Sequence, residues 1–480
     1  MGYSISCSKP EILDLILTLG KNVNMNVTNI PGGTPLNFCA LNDNFECARI
    51  LLKHGAQINS TCENGYFPVH LAAFKGSNKV LNIFFEEGLR LGISKEKLLS
   101  FTDADNNKPL HSAVQVNNIL ALKLCLINGS KIDETTDTDN LTPIHVACSQ
   151  GSLEILVIML ENQPQLKEKV INMKDINQMT PLHKASMFDH VEIVDYLLKN
   201  GANINATDEE NRTPILLAAS RNCVEVVCYL LKEQNCNYKL KDVKLRNFLH
   251  LIVSHSQPIM KKDLSRPSST VSVVEDGNNK IKNEISYISL HSLHEVSKLL
   301  IKVIFLFIFI QSFNVFVNCF QKSDFKGLLH DQDHEGCTVM HYASKLGLVG
   351  CLKSLMENGA SISTLNNHNQ SPLHFAAKYG RYNSCVQILS SPNYKNYINE
   401  KDGDGNTPLH LSAQNGHSKV VKLLIEKGAM IFKSYKSYSG NNPFHEAAKN
   451  SCIECMDILF NVHRNVLDSI NANGVSINDV

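Results

Sequence analysis

The chain has no net charge: 46 Lys and Arg balance 46 Asp and Glu over 480 residues. A neutral chain sets up no global field for nucleic acid or an anionic membrane, so no nucleic-acid partner is expected. Its 15 cysteines are too few for a disulfide scaffold, and their spread along the chain suits reduced thiols in cytosol. The N-terminus lacks the basic-then-apolar profile of a secretory signal. Met1-Gly2 with Ser6 has the spacing of a myristoylation site, a six-residue pattern that chance often produces. There is no Gly-x-x-x-x-Gly-Lys-Ser/Thr loop and no nucleophile elbow. His294-Glu295 and His445-Glu446 each begin a zinc-protease motif but lack its second histidine. No enzyme activity, cofactor or metal is expected.

What is present is repetition. Thr-Pro-Leu-His or a variant recurs with its second residue at Pro35, Pro68, Pro109, Pro143, Pro181, Pro214, Phe248, Val339, Pro372, Pro408 and Pro443. The spacings are 33, 41, 34, 38, 33 and 34, then 91, then 33, 36 and 35. That is the ankyrin period. The chemistry agrees with two short helices per repeat. Thr407 can cap a helix whose first position, Pro408, has no N–H to lose. Eight residues after the anchors stand Gly76, Gly151, Gly347, Gly380 and Gly416, or Asp43, Asn117, Asp189 and Asn222, all tolerant of φ > 0. Gly55, Gly88, Gly129, Gly201, Gly359 and Gly428 are expected to end the second helices. Residues 9–24 read as a second helix and finger without a first helix. The fold class is therefore all-α, an ankyrin-repeat solenoid of about 11 repeats interrupted by one insert.

The expected organisation is an array over 1–253 (about seven repeats, the first partial), an insert over 254–327, an array over 328–465 (about four repeats) and a tail over 466–480. Surplus chain between Pro68 and Pro109 falls around Gly92 to Phe101, and between Pro143 and Pro181 around Asn162 to Val170. The insert opens polar and then turns apolar from Leu299 to Phe320, with Val303 to Ile310 uninterrupted. Twenty-two residues just reach a bilayer's thickness, but Lys302, Gln311, Ser312, Asn314 and Asn318 interrupt them. A buried or aggregation-prone segment is the reading preferred here.

Several non-consensus stretches carry a closer resemblance. Gly65-Tyr66-Phe67-Pro68-Val69-His70-Leu71, Thr180 to His190, Arg246-Asn247-Phe248-Leu249-His250-Leu251, Asp333-His334-Glu335-Gly336-Cys337-Thr338 and Ser371 to Ala377 follow in register. Together, from about residue 30 to about 450, they resemble the ankyrin-subfamily transient receptor potential cation channels. The resemblance implies the cytosolic ankyrin region of a calcium-permeable, non-selective cation channel, opened by chemical irritants or temperature. Its partners would be the other subunits of a homotetramer, at the cytosolic face of the plasma membrane. The pattern departs from the family in the insert, and the pore and the linker that carries most of the family's reactive cysteines have no counterpart here. The chain by itself is thus expected to carry no current and to act as an interaction and regulatory module. The alternative is a free-standing cytoplasmic ankyrin adaptor that binds a protein partner on its concave face.

Cys337 matches a cysteine of the family's ankyrin region and precedes a helix start near His334 and His341, which makes it the candidate reactive thiol, expected to label ahead of Cys228 and Cys455. A partly exposed structural thiol is the simpler reading. Cys452 and Cys455 form a Cys-x-x-Cys with no second pair at zinc spacing, so packing is expected. His70, His111, His145, His183, His341, His374, His410 and His445 share one repeat position. With Pro35 they are read as repeat anchors that hydrogen-bond neighbouring fingers, not as metal ligands.

Overall fold

The computed structural model describes residues 5, 8–20, 23–27, 33–62, 65–255, 323–431 and 440–462. They divide into two compact units, residues 1–218 with 229–236 and residues 219–228 with 237–480.

In the first unit the anchors begin the short helices Pro35–Asn42, Pro68–Lys75, Pro109–Gln115, Pro143–Gln150 and Pro181–Met187. A second helix follows each: Phe45–Lys53, Asn78–Arg90, Ile119–Ile127, Leu153–Asn162 and Val191–Lys199. Helix Pro10–Leu19, closed by Gly20, is the second helix expected at residues 9–24, and Ile5 ahead of it is helical and buried. Small residues on the first helices, among them Ala72, Ala73, Ala113, Ala147 and Ala185, are fully buried and let successive helices approach. Leu51, Leu81, Leu122, Leu156 and Leu197 bring the second helices onto the same core, each such side chain contributing roughly 2 kcal/mol.

The surplus chain is structured. Near Gly92 to Phe101 it forms helix Lys95–Leu99, which buries Leu98 and Leu99. Near Asn162 to Val170 it forms a 3-10 turn, Pro164–Leu166, and helix Lys167–Ile171, which buries Val170 and Ile171. One expected stop is different. Gly88 lies inside helix Asn78–Arg90, and a Cβ there would come within 2.7 Å of Leu98 Cδ1. This glycine gives room to the extra helix, and the chain instead turns at Gly92, φ +76°.

The second unit repeats the plan with Phe248–His255, Val339–Leu346, Pro372–Lys378, Pro408–Gln414 and Pro443–Lys449, followed in the last four repeats by Val349–Glu357, Tyr382–Ile388, Ser418–Glu426 and Ile453–Val462. Most of the expected insert 254–327 and the tail 466–480 lie outside the described residues, as do residues 299–320. The edges of the insert are corrected. Residues 254 and 255 complete helix Phe248–His255, and 323–327 open a 3-10 helix, Ser323–His330. Phe325, Leu328 and Leu329 on it are buried, with the Phe325 ring 4.6 Å from Tyr238 and 5.9 Å from Phe248. Among the described residues no helix is long and apolar enough to cross a membrane.

Candidate functional site

Most of the anchor histidines are built the same way in both units. In most of these helices the N-cap N–H points at the histidine Nδ1 three residues on: Thr142 to His145 and Thr180 to His183 at 3.2 Å, Thr338 to His341 at 3.0 Å, Ser371 to His374 at 3.1 Å, Thr407 to His410 at 3.2 Å, whereas His70 Nδ1 is buried without such a partner and His250 Nδ1 faces Asn247 Oδ1 at 2.7 Å. An accepting Nδ1 leaves the proton on Nε2. Nε2–H then donates across the repeat junction to a backbone carbonyl two residues before the next anchor. In the first unit His70 reaches Asn107 O at 2.9 Å, His111 Leu141 O at 3.0 Å, His145 Met179 O at 3.1 Å and His183 Arg212 O at 2.9 Å. In the second, His250 reaches Cys337 O at 3.2 Å, His341 Gln370 O at 2.9 Å, His374 Asn406 O at 3.2 Å and His410 Asn441 O at 3.1 Å. His445 sits behind the same cap, 3.3 Å from Asn442 N. These residues are buried, and burial lowers His111, His145, His341, His374 and His410 from 6.5 to about 4. The rings are therefore neutral, as two-sided hydrogen bonding of this kind requires. Pro35 opens its helix behind Thr34, which accepts from Asn37 N at 3.3 Å.

A second element, unread in the sequence, closes the fingers. Six residues before most anchors stands a buried Asp or Asn: Asp103, Asp175 and Asp208 in the first unit, Asp242, Asp333, Asn366 and Asp402 in the second. Its side chain accepts the N–H four residues on, from Asn107, Met179, Arg212, Arg246, Cys337, Gln370 or Asn406, at 2.7–2.9 Å. Its own N–H donates back to that residue's carbonyl. The peptide that receives the histidine thus also closes a five-residue loop. The signal was present as an Asp or Asn at a constant distance from most anchors.

A third contact explains the turn glycines. The residue nine after an anchor reaches back to the first helix of the preceding repeat: Asn118 Nδ2 to Ala73 O at 3.1 Å, His190 Nε2 to Ser149 O at 3.2 Å, Arg381 Nε to Lys345 O at 2.9 Å, His417 Nε2 to Lys378 O at 3.0 Å. A Cβ on Gly76, Gly151 or Gly380 would come within 2.8 Å of those side chains, so the position needs glycine for room as well as for φ > 0.

Cys337 does not fit the expectation of a reactive thiol. It is 3% exposed, because it occupies the loop position whose N–H goes to Asp333 and whose C=O goes to His250. Burial pushes its thiol up to about 11, against the thiolate that reactivity needs. Cys455 is fully buried, while Cys62, Cys228 and Cys452 are partly exposed. Among the described residues no group of three or more His, Cys, Asp or Glu side chains is placed to hold a metal ion.

The geometry defines a scaffold of stacked helix pairs with rigidly closed fingers, the architecture of an ankyrin-repeat protein. The family model for ankyrin repeats (three copies) matches residues 3–95, 110–208, 164–242, 312–402 and 383–469, and the chain belongs to that family. Among characterised proteins it is similar to the transient receptor potential cation channel subfamily A member 1 of Drosophila melanogaster, 38% identical over 92% of this chain and 32% of the channel. The human protein of that name is 32% identical over 96% of this chain and 36% of the channel. The chain thus spans about a third of the length of these relatives. The ankyrin-repeat domain of Bcl-3 aligns with a TM-score of 0.40 at 21% identity, over 47% of this chain and 96% of that structure.

Proposed function

We propose that this chain is the ankyrin-repeat region of a calcium-permeable, non-selective cation channel opened by chemical irritants or temperature, and serves there as an interaction and regulatory module, not as an enzyme. The observation that carries the reading is similarity to two such channels over more than nine-tenths of this chain. The match to ankyrin repeat and SOCS box protein 3, by contrast, extends over 19% of the chain. On this reading the module works beside its counterparts in a homotetramer, at the cytosolic face of the plasma membrane. The finger ladder is in keeping with it: closed loops held on neutral histidines keep successive fingers in register.

The test is a chimera in which this chain replaces the corresponding segment of the fly channel. Irritant-evoked calcium entry at matched surface expression is the expected result, and this chain expressed by itself should evoke none. A chimera that reaches the surface and stays silent, while this chain alone captures a cytosolic protein on its concave face, overturns the channel reading in favour of a free-standing adaptor.

A further inference from the structure

The described residues hold two thiol pairs, and they differ in access. Cys39 and Cys47 are neighbours, since each thiol is felt by the other, but both are wholly buried, so no oxidant reaches them. Cys452 and Cys455 are placed differently. The carbonyl of Cys452 accepts the N–H of Met456 at 3.0 Å, the first bond of helix Ile453–Val462, which makes Cys452 the residue just ahead of that helix. It is partly exposed, with its thiol 3.7 Å from Asn450 O. Cys455, one turn on, is fully buried in the cluster against which Cys452 packs.

Residues three apart on a helix bring their Cβ atoms to about 5–6 Å, and a disulfide needs about 3.5–4.5 Å. The first residue of this pair lies just outside the helix, its N–H on Ala447 O at 2.9 Å, so helical spacing does not itself set its Cβ and closing the bond asks this cap to shift by about 1–2 Å. We propose that Cys452 and Cys455 are a reversible dithiol–disulfide site, with Cys452 the attacking and Cys455 the resolving thiol, oxidised by a peroxide. The Cys452 sulfur attacks one peroxide oxygen, the O–O bond breaks, and one water leaves as a sulfenic acid forms. The Cys455 sulfur then attacks the Cys452 sulfur, the S–S bond forms, the S–O bond breaks and a second water leaves. Two thiols lose two electrons and two protons, and the peroxide takes up both. The bond would lie at a repeat joint, because the Cys452 Sγ rests over Gly416, where a Cβ would come within 2.9 Å of it.

The experiment uses the purified full chain, reduced, treated with hydrogen peroxide, blocked with N-ethylmaleimide and digested with trypsin. Both cysteines fall in the peptide between Lys449 and Arg464. The expected product is that peptide without maleimide, lighter by two hydrogens than the dithiol, and formed about tenfold faster than oxidation at Cys62, which has no resolving neighbour. Cys452→Ser should abolish it, and Cys455→Ser should leave a sulfenic acid on Cys452 that dimedone captures. Cys455→Ala repeats the second arm if circular dichroism shows the serine variant unfolded. Retention of both maleimides while Cys62 is oxidised overturns the proposal, and so does a Cys452 that stays unoxidised once Cys455 is replaced.

Discussion

The finger Asp208–Arg212 of the first unit and the finger Asp242–Arg246 of the second share a skeleton and differ at the tip. In each, the aspartate accepts the N–H two and four residues on at 2.7–2.9 Å, and the closing arginine returns Nε to the other carboxylate oxygen at 2.8 and 2.9 Å. In each, the fourth residue is left-handed, φ +55° at Asn211 and +58° at Leu245. Two very different tips, Glu-Glu-Asn and Val-Lys-Leu, sit on one backbone. The finger's shape belongs to the buried acid, while the tips differ in their contacts: Glu209 N–H donates to Asn177 O and the Lys244 carbonyl accepts from His334 N–H, both at 3.0 Å.

The two fingers differ in one further way, and pH exposes it. Carbonyl Arg212 O takes the N–H of His183, whereas the repeat anchored at Pro214 carries Leu216 at the histidine position and has no N–H to give. Across both units, burial holds His111, His145, His341, His374 and His410 near 4, below the ordinary 6.5. Between these values the unfolded chain binds protons that the folded chain does not. The stability they contribute is complete above pH 6.5 and is lost as pH falls toward 4. At pH 5 the loss is on the order of 2 kcal/mol per histidine, the largest effect expected here. Urea unfolding followed by circular dichroism at pH 7 and pH 5 measures it, and an unchanged midpoint defeats it. Amide exchange should show finger 208–212 loosening on acidification before finger 242–246.

Next in size is removal of the acid. The Asp208 and Asp242 carboxylates are each 1% exposed beside their arginines, so alanine leaves buried N–H groups and a guanidinium without their acceptor. Asp208→Ala and Asp242→Ala should each cost about 3 kcal/mol. Near-equal losses by urea titration would support a common skeleton. If one variant is silent, the tips, and not the acids, shape the fingers.

This acid shows where the sequence was legible and where it was not. Pro and His at a steady period disclose the helices and the ladder, because each caps or anchors something within three residues of itself. The acid at minus six acts within its own loop, and in a polar finger it reads as solvated. The turn glycines were legible for φ, but their second purpose belongs to a side chain about 40 residues away, such as Asn118 over Gly76. Cys337 fails as the candidate reactive thiol for the same reason, and the structural reading fits. Its nearness to a helix start is local, whereas its burial comes from Asp333 behind it and His250 in another repeat.

The smallest effect sharpens the comparison most. Leu245 holds φ +58° while 51% exposed, in a position filled by Asn, Gln or Gly in fingers at Asn106, Gln178, Asn211, Gly336, Asn369 and Gly405. A left-handed conformation costs a residue with a Cβ roughly 1–2 kcal/mol, and asparagine offsets part of that by local hydrogen bonding. Half-exposed, Leu245 recovers little of the cost by burial. Leu245→Asn should therefore stabilise the chain by about 1 kcal/mol, and Asn211→Leu should destabilise it by about as much. Both are read from urea midpoints at pH 7. Because the two fingers share their hydrogen bonds, the changes should be equal and opposite. If Leu245→Asn instead destabilises, the leucine packs on something that its exposure does not reveal, and the side chains of the tip then shape the finger together with the buried acid.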